Sequence, residues 1–140
     1  MFFSVYRKNM EPTLRPGDKI IAQVLKHPGQ IKRGNIVLFR EFLVSSCEIN
    51  RVIGLPGEEL QIRRGEIYIN DKLISGIKEI RRDLFTNLEP ITIPNDCFSL
   101  ICDDMKLSRG SLYLSMIHTE KILSRALFVY WPLKHAKYLL

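Results

Sequence analysis

Short apolar runs closed by turn residues constrain this chain more than any other feature. Lys19–Leu25 alternates polar and β-branched residues after the Pro16-Gly17-Asp18 turn, and a loop holding Pro28 and Gly29 follows. Asn35–Arg40 and Ser46–Ile53 read as strands, the second ending at Gly54-Leu55-Pro56-Gly57. Glu59–Arg63 alternates cleanly, and 65–74 reads as two short strands about an Asn70-Asp71 turn. Cys97–Cys102 and Ile122–Trp131 complete the series. Between Gly76 and Pro94 the pattern breaks: Arg81, Arg82 and Asp83 interrupt it, and Pro90 and Pro94 end it, so this stretch reads as extended with one helical turn. With period-2 alternation throughout and almost no helical periodicity, the expected fold is all-β, a barrel or sandwich of short, mostly antiparallel strands. At 140 residues the chain suits one domain spanning 1–140, with an irregular insertion at about 76–95 and a basic aromatic tail at about 126–140.

The net charge of +6 favours an acidic partner, such as anionic lipid, nucleic acid or an acidic protein face. After Glu120 there is no acidic residue, while Lys121, Arg125, Lys134 and Lys137 are joined by Tyr130, Trp131 and Tyr138. That mixture suits a membrane interface, and equally a last core strand with a basic end. Neither Met1–Tyr6 nor Ala126–Leu133 reaches the ~20 apolar residues of a membrane span. Cys47, Cys97 and Cys102 are odd in number, and Cys97 and Cys102 fall on opposite strand faces, so no disulfide framework is expected. His27, His118 and His135 are isolated and no zinc-ligand spacing occurs; neither metal nor cofactor is expected.

Four segments carry a family resemblance. Asn9-Met10-Glu11-Pro12-Thr13-Leu14-Arg15-Pro16-Gly17-Asp18 resembles Ser-Met-x-Pro-Thr-Leu-x-x-Gly-Asp, the nucleophile segment of type I signal peptidases. Gly34-Asn35-Ile36-Val37-Leu38-Phe39 is similar to their Gly-Asp-Ile-Val-x-Phe. Asn50-Arg51-Val52-Ile53-Gly54-Leu55-Pro56-Gly57-Glu58 is similar to Lys-Arg-Val-Ile-Gly-Leu-Pro-Gly-Asp, and Gly65–Asp71 resembles the hairpin that follows. Asp103–Ser111 echoes Gly-Asp-Asn-Arg-x-x-Ser-x-Asp-Ser-Arg. The resemblance covers about residues 5–131 and implies the fold shared by signal peptidases and LexA-type peptidases.

It also implies a serine–lysine dyad, in which a buried lysine takes the proton of the serine hydroxyl. Here both positions are asparagine, Asn9 and Asn50, and an amide offers neither a hydroxyl nor useful basicity. Arg7 stands where the family has a small residue near the oxyanion hole. Asp103 and Ser108 fit the supporting motif, whereas Gly110 and Leu112 replace its second acidic residue and its arginine. The resemblance thus implies an inactive protein that binds an extended peptide or protein partner at a membrane surface, with an assembly or chaperone-like role. The groove residues it implies are Asn9, Met10, Pro12, Thr13, Phe39, Ile49, Asn50 and Arg51. Family members carry an anchoring helix before the nucleophile; with no such helix here, the expected attachment is a surface contact or a partner within a larger membrane assembly. The expected place is the extracytoplasmic face, or the mitochondrial inner membrane.

Two other readings compete. An active endopeptidase would need a displaced nucleophile among Ser4, Thr13 and Ser111, with Lys8 or Lys19 as base. Nucleic-acid binding would use the positive charge, but no helix-turn-helix fits before Asn9 and no stacking aromatics interleave the basic residues, so no nucleic-acid partner is expected.

Overall fold

The computed structural model describes residues 1–40, 47–74, 87–104 and 114–139. In chain order the strands are β1 (Phe2–Ser4), β2 (Lys19–Val24), β3 (Ile36–Phe39), β4 (Glu48–Gly54), β5 (Glu59–Arg63), β6 (Glu66–Ile69), β7 (Lys72–Leu73), β8 (Leu88–Thr92), β9 (Cys97–Ile101), β10 (Leu114–His118), β11 (Ile122–Trp131) and β12 (Lys137–Tyr138). Short 3-10 turns at Pro28–Gln30, Thr119–Lys121 and Leu133–His135 are the only helical elements among the described residues. The all-β expectation holds, and every strand pairing is antiparallel.

There is no closed barrel. One sheet runs β1-β2-β11-β3-β4-β9-β10, with β12 added beside β11, and a smaller one runs β7-β6-β5-β8. β3 explains the centre of the large sheet. Ile36, Val37, Leu38 and Phe39 form an unbroken apolar run and all four are buried, which only a strand covered on both faces can satisfy. Ile36 and Leu38 join Met10, Leu14, Ile20, Ile49, Ala126 and Val129 in one core cluster. Val37 and Phe39 join Val52, Phe98, Leu100 and Ile122 in another. A third cluster packs the large sheet on the small one, bringing Ile53 and Ile101 against Leu60, Ile62, Ile69 and Ile93. Gly54 lets the sheets approach: a Cβ there would lie 2.1 Å from Ile93 Cδ1.

The Asn70-Asp71 turn forms as read from sequence, with both residues at positive φ (50° and 65°), the geometry of a two-residue hairpin. Within the segment read as irregular, residues 88–92 form edge strand β8, which tolerates Pro90 because an outer strand needs no donor there. Residues 75–86 lie outside the described residues. The basic end contributes both a core strand and a surface: Val129 is buried in β11, whereas Leu133 and Tyr138 are exposed. Register sets Phe2, Ile21, Phe128 and Tyr138 side by side across β1, β2, β11 and β12. Phe2 also stacks edge-on against Tyr130, and Phe128 lies 5.7 Å from Tyr138. The His135 ring meets the buried Asp18 carboxylate at 2.8 Å, tying the last turn to the end of the opening motif.

Candidate active site

The opening motif becomes a compact turn. Leu14 N–H donates to the Met10 carbonyl and Glu11 N–H to that of Lys8, while Arg15 N–H donates to the Asp18 carboxylate. Met10 and Leu14 are fully buried, so they fix the turn on the core and lift Asn9 to its edge. Beyond Asn9 the Asp104 N–H donates to its carbonyl at 3.0 Å.

Asn9 and Asn50 meet. Asn9 Nδ2 donates to Asn50 Oδ1 at 3.0 Å and to the Ile49 carbonyl at 3.0 Å. The Cys102 thiol lies 3.7 Å from both Asn9 Nδ2 and Asn50 Oδ1. Turning the Asn9 amide over would set its oxygen against those acceptors, so the partners fix its orientation. Its own Oδ1 is buried and finds no hydrogen-bond partner. The arrangement holds two segments together, and neither amide offers a hydroxyl or useful basicity.

Beneath this pair lies a buried charged network. Asp103 is fully buried and receives Arg51 Nε and Nη2, each at 2.7 Å, and the Thr13 hydroxyl. Arg51 Nη1 donates to the Gly34 carbonyl at 2.8 Å. A bidentate guanidinium–carboxylate pair with further hydrogen bonds to the Gly34 carbonyl and from the Thr13 hydroxyl is a form in which buried charge is tolerated. It joins the opening motif, β4 and the segment after β9. A second pair, Arg33 with Glu58, clamps the turn after β4 through two bonds of 2.7 Å, with Leu55 N–H donating to the same carboxylate. Burial alone would raise the Glu58 pKa; the Arg33 guanidinium and the Leu55 N–H outweigh it and hold the carboxyl below its ordinary value.

The strand edge beside the pair is held by a segment of the same chain. β4 pairs with β3 over Glu48–Arg51 and with β9 over Arg51–Gly54. Along 48–50 its second edge has no strand partner among the described residues. The Arg7–Asn9 segment lies there instead, through the Asn9 bond to Ile49 and an ion pair of 3.0 Å between Arg7 and Glu48. Of the groove residues expected from sequence, Asn9, Ile49 and Asn50 converge on this edge, and Thr13 and Arg51 lie in the network beneath. Met10 and Phe39 are buried in core clusters and Pro12 is exposed on the turn. Ser108, with Gly110, Ser111 and Leu112, lies outside the described residues. Sequence reasoning missed Cys102 as a site residue. The signal was present, since Cys102 precedes Asp103 where the resembling motif has glycine.

The other hydroxyls are poorly placed for catalysis. Thr13 is committed to Asp103. Register puts Ser4 opposite Lys19, but that lysine is exposed, as is Lys8, and a lysine becomes a useful base through burial. Among the described residues no group of His, Cys, Asp and Glu is arranged to hold a metal.

The all-β fold, with Asn9 and Asn50 brought together from two of the four motif segments, agrees with the family resemblance read from the sequence. The profile of the family described as "Signal peptidase, peptidase S26" matches residues 1–131, and the chain belongs to that family. Among curated proteins it is 30% identical to a probable signal peptidase I-2 of Synechocystis sp. over 131 residues, 89% of this chain and 60% of that protein. It is 23% identical to signal peptidase IB of Staphylococcus aureus over 154 aligned positions, 97% of this chain and 80% of that one. The chain therefore spans about 60% of the length of its Synechocystis relative. Among solved structures it resembles a signal peptidase I of Enterococcus faecalis, with a TM-score of 0.55 at 19% identity over 71% of this chain and 96% of that one; that likeness concerns the fold.

Proposed function

We propose that this chain is a non-cleaving signal peptidase-like protein that holds an extended peptide, or an extended segment of a protein partner, at a membrane surface. The observation that carries the reading is the direct Asn9–Asn50 hydrogen bond where the family places its nucleophile and base. An amide pair is inert to proton transfer near neutral pH, whereas the neighbouring strand edge needs no catalytic residue to take a peptide through backbone hydrogen bonds. The membrane surface is supported by the exposed row of Phe2 and Tyr138 with Trp131 and Leu133 nearby, bordered by Lys19 and Lys134. Aromatic rings with flanking lysines match the chemistry of an anionic lipid interface. No helix among the described residues is long and apolar enough to cross a membrane. An extracytoplasmic location and membership of a larger assembly belong to this proposal.

The test is a cleavage assay with a synthetic signal peptide at high protein concentration, run beside a binding assay on the same peptide. Binding without turnover is expected. Turnover that disappears on Asn9→Ala would overturn the reading.

A further inference from the structure

The edge of β4 that would receive a peptide is already engaged from within the chain. Glu48 stands at its start, with its side chain only 15% exposed, and Arg7 reaches it at 3.0 Å from a side chain that is 63% exposed. Two residues beyond Arg7 and one beyond Glu48, the Asn9 amide occupies the Ile49 carbonyl. A strand laid on this edge has to replace both contacts. One is a backbone acceptor that any peptide N–H can satisfy. The other is a largely covered carboxylate, and leaving it without a cation costs more than the exposed arginine loses by returning to water.

We propose that Arg7 is a tethered competitor for this edge, and that the peptide accepted there carries a basic side chain that takes over Glu48. This rests on the peptide-holding reading above and names the chemistry of the peptide. The overall charge of +6 opposes non-specific collection of basic peptides, so any preference for one must come from a local contact such as this. The Arg7–Glu48 pair is weak enough to be exchanged: an ion pair with one exposed partner shifts an equilibrium by about three- to fivefold.

The probes are a short labelled Ala/Val-rich peptide with lysine at alternate positions, and its counterpart with glutamine at those positions. Affinity is read by fluorescence anisotropy at low salt. Wild-type protein should prefer the lysine peptide by about threefold. Arg7→Ala should bind the lysine peptide about three- to fivefold more tightly than wild type, and Glu48→Gln should abolish the preference. The exchanged pair Arg7→Glu with Glu48→Arg should favour a glutamate peptide, and serves if Glu48→Gln folds poorly. Equal affinity of wild type and Arg7→Ala for the lysine peptide overturns the proposal, as does a lysine preference that survives Glu48→Gln. Failure of every protein to bind either peptide overturns the peptide-holding reading itself, and this inference with it.

Discussion

The Cys102 thiol lies 3.7 Å from the Asn50 amide oxygen, close enough to crowd a longer side chain at position 50. Installing a serine–lysine pair here therefore involves Cys102 as well as positions 9 and 50. Asn9→Ser with Asn50→Lys should give no detectable signal-peptide cleavage; adding Cys102→Gly should give measurable turnover. A double replacement already as active as the triple would remove Cys102 from the account. The network beneath allows a second prediction. Asp103→Ala leaves Arg51 buried without its partner, which should cost about 3–5 kcal/mol in a denaturant titration. A loss under about 1 kcal/mol would mean that water relieves the charge. At this scale sequence was informative about identity and poor about contact. The motif put Asn9 and Asn50 at the dyad positions, but whether they met was open, because they are 41 residues apart in the chain. Cys102 was weighed only for disulfide pairing, since alternation along a strand tells which face a side chain takes and not what it meets there.

Strands legible from sequence were those whose own residues specify them: β5 over Glu59–Arg63 and β11 over Ile122–Trp131 form with the boundaries expected. β1, β10 and β12 escaped notice because their pairing partners define them more than their own alternation does. β8 was obscured by Pro90, an obstacle only for an inner strand. The turn after β4 yields a pH prediction. The Glu58 carboxyl titrates below its unfolded value, so the clamp stabilises the fold fully above that value, near 4.5, and the contribution is lost as pH falls through the lowered folded pKa. Glu58→Gln should cost about 1–2 kcal/mol at neutral pH and progressively less on acidification. Thermal melts across pH 3 to 7, approximately the range in which a carboxylate titrates, check this; a deficit that does not shrink at low pH would assign the effect to packing.

Charge and aromatic exposure act over the whole molecule. The basic aromatic end suggested either a membrane interface or a core strand; the structure makes β11 a core strand that buries Ala126 and Val129, while its other face sets the half-buried Phe128 and Tyr130 beside the exposed Tyr138 and Phe2. Sequence could not show this, because Phe2 and Tyr138 become neighbours of that strand only through pairing. Co-sedimentation with anionic vesicles should be strong at low salt and weaken as salt rises. Phe2→Ala with Tyr138→Ala should lower it by about tenfold, the scale expected for two withdrawn aromatic rings. Unchanged sedimentation would place the contact elsewhere.

The row from Phe2 to Tyr138 also brings two segments far apart in sequence to the same part of one sheet. Both lie on one sheet three strands apart, roughly 15 Å at the usual interstrand spacing. A linker of about five residues spans that distance. A circular permutant joining residue 139 to residue 1 and opened at the exposed Lys26-His27 loop should fold with the Asn9–Asn50 contact unchanged. Its two new ends would lie five and six residues beyond Ile21 of the row, past the end of β2.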